Sequence, residues 1–550
     1  MHLYRLKRYD DCIKELKERL KTSPNSLHLL NYQAMAYSAL KMDKEALTCY
    51  QKIIRIDTSL AGPYYNMGII LKRLGRIEEA VECYKKAILL KPDYVQAYNN
   101  LGIVYKDRKQ YEKAIKMFMK AKEIQPDHQN SYYNLALIKK EQGLDEEASE
   151  IFLKVLELNP EHTEAKYNIS LLKKNEGSLE EAKRYLQEIL ISDQKNENAA
   201  KELAVVFGEM GNFNKAISSL KKLIAHNPKN RSLFHGLGLC LLTIGEFKEG
   251  WKAIELRWEE ENNEIAAWFK RAKETWIGEK TEKNVILYTN RQGIGEDILF
   301  LSLLPEVQQM CSSLSVYIDP RLHSLCRRAM PDINFVKDID ELQNVDCDYN
   351  LPLGSVPGLI RNDISDFNRT VNGYLKADQQ RVDAIRKELK LKGKTVIGIS
   401  WRSLNTLNQQ KKSVRLRDME RMFAGLDVVL VNLQYGDVAD EIKEFKEETG
   451  IEVLQCASVD NREDLDGLAA LIEACDLVVS TSNVTVHMAG ALAKKTWVML
   501  NYVPIYYWLL ERTDSVWYPT LTLYRQPILD DWGSVFSSIR SDLRRELTKA

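Results

Sequence analysis

The chain has 550 residues, more than one ordinary hydrophobic core holds, so two or three domains are expected. Its 78 basic and 78 acidic side chains balance, which argues against a nucleic-acid-binding stripe or a polybasic membrane patch. Nine cysteines lie dispersed from Cys12 to Cys475 without a CxxC pair, the usage of reduced thiols and not of a disulfide framework. The start MHLYRLKRYDDCIKEL is charged and amphipathic, unlike a signal peptide. The most apolar run, Trp497 to Leu510, is broken by Asn501 and Pro504 and is shorter than the ~20 residues of a spanning helix. A soluble, cytoplasmic protein is expected, with no nucleic-acid partner and no spanning membrane segment.

Along the first half, one helix-pair signature recurs every 34 residues. A small residue falls at Gly68, Gly102, Ala136, Ser170, Ala204 and Gly238. A second register runs 12 residues behind it, at Cys12, Ala46, Ala80, Ala114, Ala148, Ala182 and Ala216. Four residues on from each stands a large apolar partner: Leu16, Tyr50, Tyr84, Phe118, Phe152, Leu186 and Leu220. Pro24, Pro92, Pro126, Pro160 and Pro228 close most units. The pattern resembles the tetratricopeptide (TPR) repeat, in which small residues let two antiparallel helices approach and large ones fill the gap beside them. The expectation is an α-solenoid, a TPR superhelix, over residues 1–260. Met1 enters partway through a unit, which implies either a stub or an absent upstream segment. At the far end, Gly250 keeps the small position, but WKAIELRWEEENNEIAAW replaces a clean unit. That stretch reads as a capping and docking helix, with a linker over 261–283.

Asn66, Asn100, Asn134 and Asn168 also recur at 34, and the series ends at Glu202 and Gly236. An amide both donates and accepts, so such a line can hold a peptide backbone. It resembles the asparagine ladder of protein O-GlcNAc transferases. The alternative is that Asn at this place simply belongs to the repeat.

From residue 284 the period changes to short β runs alternating with helices. NVILYT is followed by the turn Gln292-Gly293-Ile294-Gly295 and a helix from Glu296 through Leu304. SVYID (315–319) and Asn334 to Val336 are further strands, and DYNLPLGSVPGL reads as a rim loop. After the break Lys392-Gly393-Lys394 come TVIGIS (395–400), DVVLVNL (427–433), DLVVS (476–480) and TWVML (496–500). Two facing doubly wound halves are expected, 284–376 and 377–550, with a cleft between them.

Several α/β chemistries are excluded by what is missing. The third glycine of a dinucleotide fingerprint is Ile298, and AGALAKKT lacks the glycine of a P-loop. Asp346-Cys347-Asp348 spells a DxD, but it precedes an apolar strand, and no histidine pair has zinc spacing, so no metal is expected. What remains is STSNVTVHMAGALAKKTWVML, which reads as strand end, hydroxyl-rich turn, helix and strand. Ser482, Asn483 and Thr485 then stand at a helix N-terminus, whose free N–H groups attract an anion. His487, on the first turn, could reach the same anion. The plainer alternative is an ordinary N-cap with a surface histidine.

Together QGIGEDILF, GISWRS, KKS, VNLQYGD, the STSNVTVHMAGALAKKTWVML block and WYPTLTLYRQ resemble bacterial TPR-linked glycosyltransferases of the GT-B fold. Their catalytic domain is similar to the ADP-heptose transferases and more remotely to protein O-GlcNAc transferases. The resemblance implies twin Rossmann-type domains and a nucleotide-sugar co-substrate, with no metal or other cofactor. It also implies an inverting transfer to a protein or glycan acceptor recruited by the repeats. The family's acid after the Gly-x-Gly turn is matched here by Glu296, with Asp297 beside it, and either could be the base. Gly293 and Gly295 belong to that turn. Arg402, Lys412 and Ser413 match basic phosphate-binding positions, and Ser482, Asn483, Thr485 and His487 match the diphosphate helix. On this reading His487→Ala would weaken nucleotide-sugar binding and leave the melting temperature nearly unchanged. The alternative function is a non-catalytic TPR assembly protein with a degenerate transferase domain.

Overall fold

The structure is a computed structural model that describes residues 2–256, 274–289, 293–369, 373–391, 393–403 and 412–548. Sixteen helices, from His2–Arg5 to Phe247–Glu255, form the repeat array among these residues. The pairs keep the 34-residue period: Ala61–Arg73 with Ile77–Leu90, Val95–Asp107 with Tyr111–Ile124, Gln129–Glu141 with Asp145–Leu158, and Thr163–Asn175 with Leu179–Ser192. Gly75, Gly143 and Gly177 close first helices in the left-handed conformation (φ 74°, 74° and 86°), whereas Lys41 and Lys109 adopt it without glycine.

The small-large pairing of the two registers is a packing constraint. A Cβ added at Gly68 would lie 2.6 Å from Tyr84, and one at Gly102 would lie 2.6 Å from Phe118. Ala80, Ala114, Tyr84 and Phe118 are all essentially inaccessible. Gly102→Val is therefore expected to destabilise by about 1–3 kcal/mol, the usual scale for overpacking. Denaturant unfolding of the variant checks this, and an unchanged midpoint would contradict the packing.

Two compact units divide the chain, Met1–Ala199 and Ala200–Ala550. The division falls inside helix Glu197–Glu209, so the last helices of the array belong to the same unit as the α/β part. There Trp251 Nε1 donates to the Arg361 carbonyl at 2.9 Å and its ring meets Tyr506 edge-on at 5.8 Å. Leu237 and Leu241 share an apolar cluster with Val503 and Leu510. Residues 257–268 of the expected capping helix, and 261–273 of the expected linker, lie outside the described residues.

The first sheet contains β1 (Glu274–Thr275), β2 (Asn284–Tyr288), β3 (Ser313–Tyr317), β4 (Asn334–Val336) and β5 (Tyr349–Pro352). They lie in the order β1-β5-β2-β3-β4, all parallel. The second contains β6 (Thr395–Ser400), β7 (Val428–Asn432), β8 (Val453–Leu454), β9 (Leu477–Thr481), β10 (Thr496–Leu500) and β11 (Leu521–Arg525). Its order is β11-β10-β9-β6-β7-β8, again parallel, which is the strand order of a six-stranded doubly wound sheet. The sheet is nearly apolar throughout, as burial on both faces requires.

The rim loop expected at DYNLPLG is instead β5, a strand inside the first sheet. Its Asn350 side chain is buried and donates to the Glu274 carbonyl at 3.0 Å, and Pro352 comes last, opposite Tyr288. Asn and Pro disguise a strand that tertiary pairing secures. The short strands β1 and β8, and β11, lie outside the strands that the sequence predicts.

Candidate functional site

In a doubly wound sheet, ligands bind beyond the carboxyl ends of the strands where the order reverses. In the second sheet that point lies between β6 and β9. In the first it lies between β2 and β5. The helices that begin after β2 and β9, Ile294–Leu301 and Val484–Ala491, pack on each other, so both reversal points open onto one place. Gly295 allows this approach: a Cβ there would sit 2.9 Å from His487 Cδ2. A Cβ on Gly293, by contrast, would meet nothing within 4 Å.

Glu296 and Asp297 adjoin on one helix but occupy different environments. Tyr506 Oη donates to Glu296 Oε1 at 3.4 Å. The same carboxylate acts electrostatically on Lys412: burial pulls the Lys412 pKa down, and Glu296 opposes that shift. Asp297 is turned inward. Thr289 Oγ1 donates to its Oδ1 at 2.6 Å, and burial pushes its pKa up to about 7 despite that bond.

The residues expected to cradle phosphate are brought together, but their side chains are engaged internally. Asn483 is the N-cap of Val484–Ala491: its Oδ1 accepts from Thr485 N at 3.0 Å. Its amide donates to Ser400 Oγ at 2.8 Å and to the Arg402 carbonyl at 3.2 Å, tying β6 to β9. Ser482 Oγ accepts from Trp508 Nε1 at 2.8 Å, and Thr485 Oγ1 donates to the Leu433 carbonyl at 3.4 Å. Ser413 Oγ accepts from Ser403 N at 3.2 Å. Arg402 is ion-paired with Glu441 at 3.0 Å and donates to the Asp437 carbonyl at 3.1 Å.

His487 is not a surface residue. Its exposure is 2%, and burial pulls its pKa down to about 3, so the ring is neutral. Its Nδ1 shares a 2.9 Å hydrogen bond with Tyr518 Oη, and it stacks on Trp508 at 5.6 Å. Tyr507 and Tyr518 meet it edge-on. Tyr518 in turn bonds Tyr374, whose hydroxyl donates to the Ile298 carbonyl at 2.7 Å. The surface-histidine alternative is thereby excluded, and so is the expectation that His487→Ala leaves stability untouched.

Tyr506, Tyr507, Trp508 and Gln434 fall on the segments 434–437 and 502–508, where residues that read the nucleotide base are expected and where aromatics suit core packing equally well; all four are buried. The first three form the run YYW, whose signal is indistinguishable from ordinary core. Gln434 Oε1 accepts from Ser400 Oγ (3.1 Å), Trp401 N (2.9 Å) and Arg402 N (2.8 Å), capping the end of β6. The DxD pair lies elsewhere. Asp346 and Asp348 precede β5, and Asn284 N donates to Asp348 Oδ2 at 3.0 Å, at the amino edge of the parallel sheet. Glu296 follows the carboxyl edge, a strand length or roughly 15 Å away.

The asparagine series is also accounted for by packing. Asn100 Nδ2 donates to Tyr65 Oη (3.1 Å), Asn134 to Asn99 Oδ1 (3.4 Å) and Asn168 to Tyr133 Oη (3.4 Å). Each bond reaches back 35 residues, so the amides clip successive repeats together. Asn66 bonds Tyr50.

A TPR-repeat model matches residues 70–107, and tetratricopeptide-repeat models match 93–161, 163–196 and 202–230. The chain is 28% identical over 323 residues to Protein FlbA of Caulobacter vibrioides, an alignment covering 55% of this chain and 53% of FlbA. It thus spans about half the length of this curated relative. Among solved structures, MamA is 29% identical and covers 30% of this chain and 96% of its own, with a TM-score of 0.28. YrrB, described as a TPR protein with an unusual peptide-binding site, is 27% identical over 34% of this chain and 96% of its own, with a TM-score of 0.30. The matched repeat models by themselves put TPR repeats in the N-terminal half. Among the described residues no helix is long and apolar enough to cross a membrane.

Proposed function

We propose that the repeats recruit a polypeptide, and that the α/β unit is a GT-B-like glycosyltransferase taking its sugar from a nucleotide diphosphate. The observation that carries this reading is the seating of Gly295 on His487. It sets two strand-reversal points against each other, beside a Glu296 carboxylate that acts electrostatically on the Lys412 ammonium. A nucleotide-sugar reaction needs such a pair: a carboxylate to take the acceptor proton and a cation for the charge gathering on the leaving diphosphate. Glu296, at a helix start whose dipole favours an anion, is the base. Lys412 is the cation. Inversion at the anomeric carbon follows from a single displacement. The remote position of Asp346 and Asp348 favours a mechanism without a metal bridge.

A second reading, a non-catalytic assembly protein, is favoured by the internal engagement of Ser482, Asn483, Thr485 and Arg402. Thermal unfolding with UDP, GDP and ADP species separates the two. A transferase gains roughly 2.7 kcal/mol at ~100-fold excess of nucleotide over Kd, whereas a scaffold need gain nothing. Donor hydrolysis or transfer is expected to persist in excess chelator, and strict dependence on Mn²⁺ or Mg²⁺ would return the role to the aspartate pair.

A further inference from the structure

In four successive repeats the first helix carries the same apolar-basic pair three residues apart: Ile69 and Lys72, Ile103 and Lys106, Leu137 and Lys140, Leu171 and Lys174. Residues at that spacing share a helix face, and all eight are half-buried. The repeat period therefore draws two parallel rows along the first unit, one apolar and one basic. Lysines near a helix C-terminus also suit its dipole. That explanation covers first and second helices alike, yet of the four second helices only Tyr111–Ile124 has a basic residue, Lys122, in its last turn, whereas Ile77–Leu90, Asp145–Leu158 and Leu179–Ser192 have none. The lysines at this face recur in every one of the four first helices, more regularly than the helix end alone requires.

Lys140 leaves charge on offer. Lys72 is paired with Asp107 at 2.9 Å, but Lys140 Nζ donates at 2.8 Å to the neutral amide of Asn168. Burial disfavours the Lys140 ammonium, so a carboxylate arriving beside it would gain more than one meeting a fully hydrated lysine. The apolar row has no charge to offer such a partner and would take aliphatic groups.

We propose that this face binds an extended acidic polypeptide in which carboxylate and apolar side chains alternate. The reason is geometric: successive side chains of an extended chain point to opposite sides. A strand lying between the rows sets one set against the lysines and the other against Ile69, Ile103, Leu137 and Leu171. The inference rests on the recruiting role proposed for the repeats and is independent of sugar transfer.

The test uses the full chain and a fluorescein-labelled peptide of alternating Glu and Leu, about 12 residues long and therefore ~40 Å extended. Anisotropy is expected to show binding that weakens with salt. K106E/K140E is expected to weaken it by ~10-fold or more, and K106A/K140A in the same direction. The control K86E/K116E changes net charge equally at exposed sites on second helices and should cost less than ~2-fold. Thermal unfolding confirms that the variants fold. No binding of the alternating peptide, equal losses in both charge-reversal pairs, or equal affinity for an all-Glu peptide or single-stranded DNA would each overturn the proposal. Nucleotide binding is measured on the same samples, so a failure of the transferase reading registers separately.

Discussion

Glu296→Gln is expected to lower transferase turnover by roughly 10²-fold or more while donor binding is retained, the scale for losing a general base. The amide keeps the size of the side chain and its bond from Tyr506, so the change isolates proton acceptance. Asp297→Asn should act mainly on stability. The folded protein holds a proton on Asp297 up to about pH 7, whereas the unfolded chain releases it near the ordinary 3.8. Between those values the native state binds more protons, so this group makes stability fall as pH rises from about 4 to about 7. Asp297→Asn removes that slope and should be at least as stable as wild type at pH 8. A larger turnover loss in Asp297→Asn than in Glu296→Gln would transfer the role of base to Asp297. Two near-wild-type variants would favour the assembly reading.

His487→Ala is expected to destabilise the second unit by about 3–5 kcal/mol, the range for deleting a large buried ring. The loss combines the cavity among Trp508, Tyr507 and Tyr518 with a Tyr518 hydroxyl deprived of one partner. The same ring makes the protein acid-sensitive. Its folded pKa of about 3 lies below the ordinary 6.5, so between these values the unfolded chain binds more protons. Stability from this source is complete above pH 6.5 and lost as pH falls towards 3, by an amount on the order of several kcal/mol. His487→Phe keeps the stacking volume, should remain within about 2 kcal/mol of wild type at neutral pH, and should flatten the acid loss. Urea unfolding at pH 7.5 and pH 5 measures both effects. An Ala variant as stable as wild type would contradict the burial of this ring.

The repeats were legible because each unit repeats one local solution. Gly68 and Gly102 must be small where Tyr84 and Phe118 cross them, and the constraint returns every 34 residues. Alternating β runs likewise exposed most of both sheets, since parallel strands buried on two faces leave continuous apolar segments. β5 escaped because Asn350 and Pro352 break that signature, and only pairing with β2 on one side and β1 on the other makes the segment a strand.

The site was legible in membership but not in orientation. Sequence spacing alone placed Glu296 and Asp297 at one helix start and Asn483, Thr485 and His487 at another, because caps and first turns are local. That Glu296 meets Tyr506 while Asp297 turns inward, and that His487 is walled in by Trp508 and Tyr518, depends on side chains up to 210 residues away in the chain. The asparagine series shows the same division. Its period is a property of the sequence, but that Asn100, Asn134 and Asn168 clip repeats together, each reaching a residue 35 earlier, is decided by helices stacking in space. Composition and periodicity determined the helical array, the α/β class and the positions of the candidate groups, because each is set by neighbours within a turn or a strand. Burial, and with it the charge state of Asp297, Lys412 and His487, was decided only when distant segments excluded water from them.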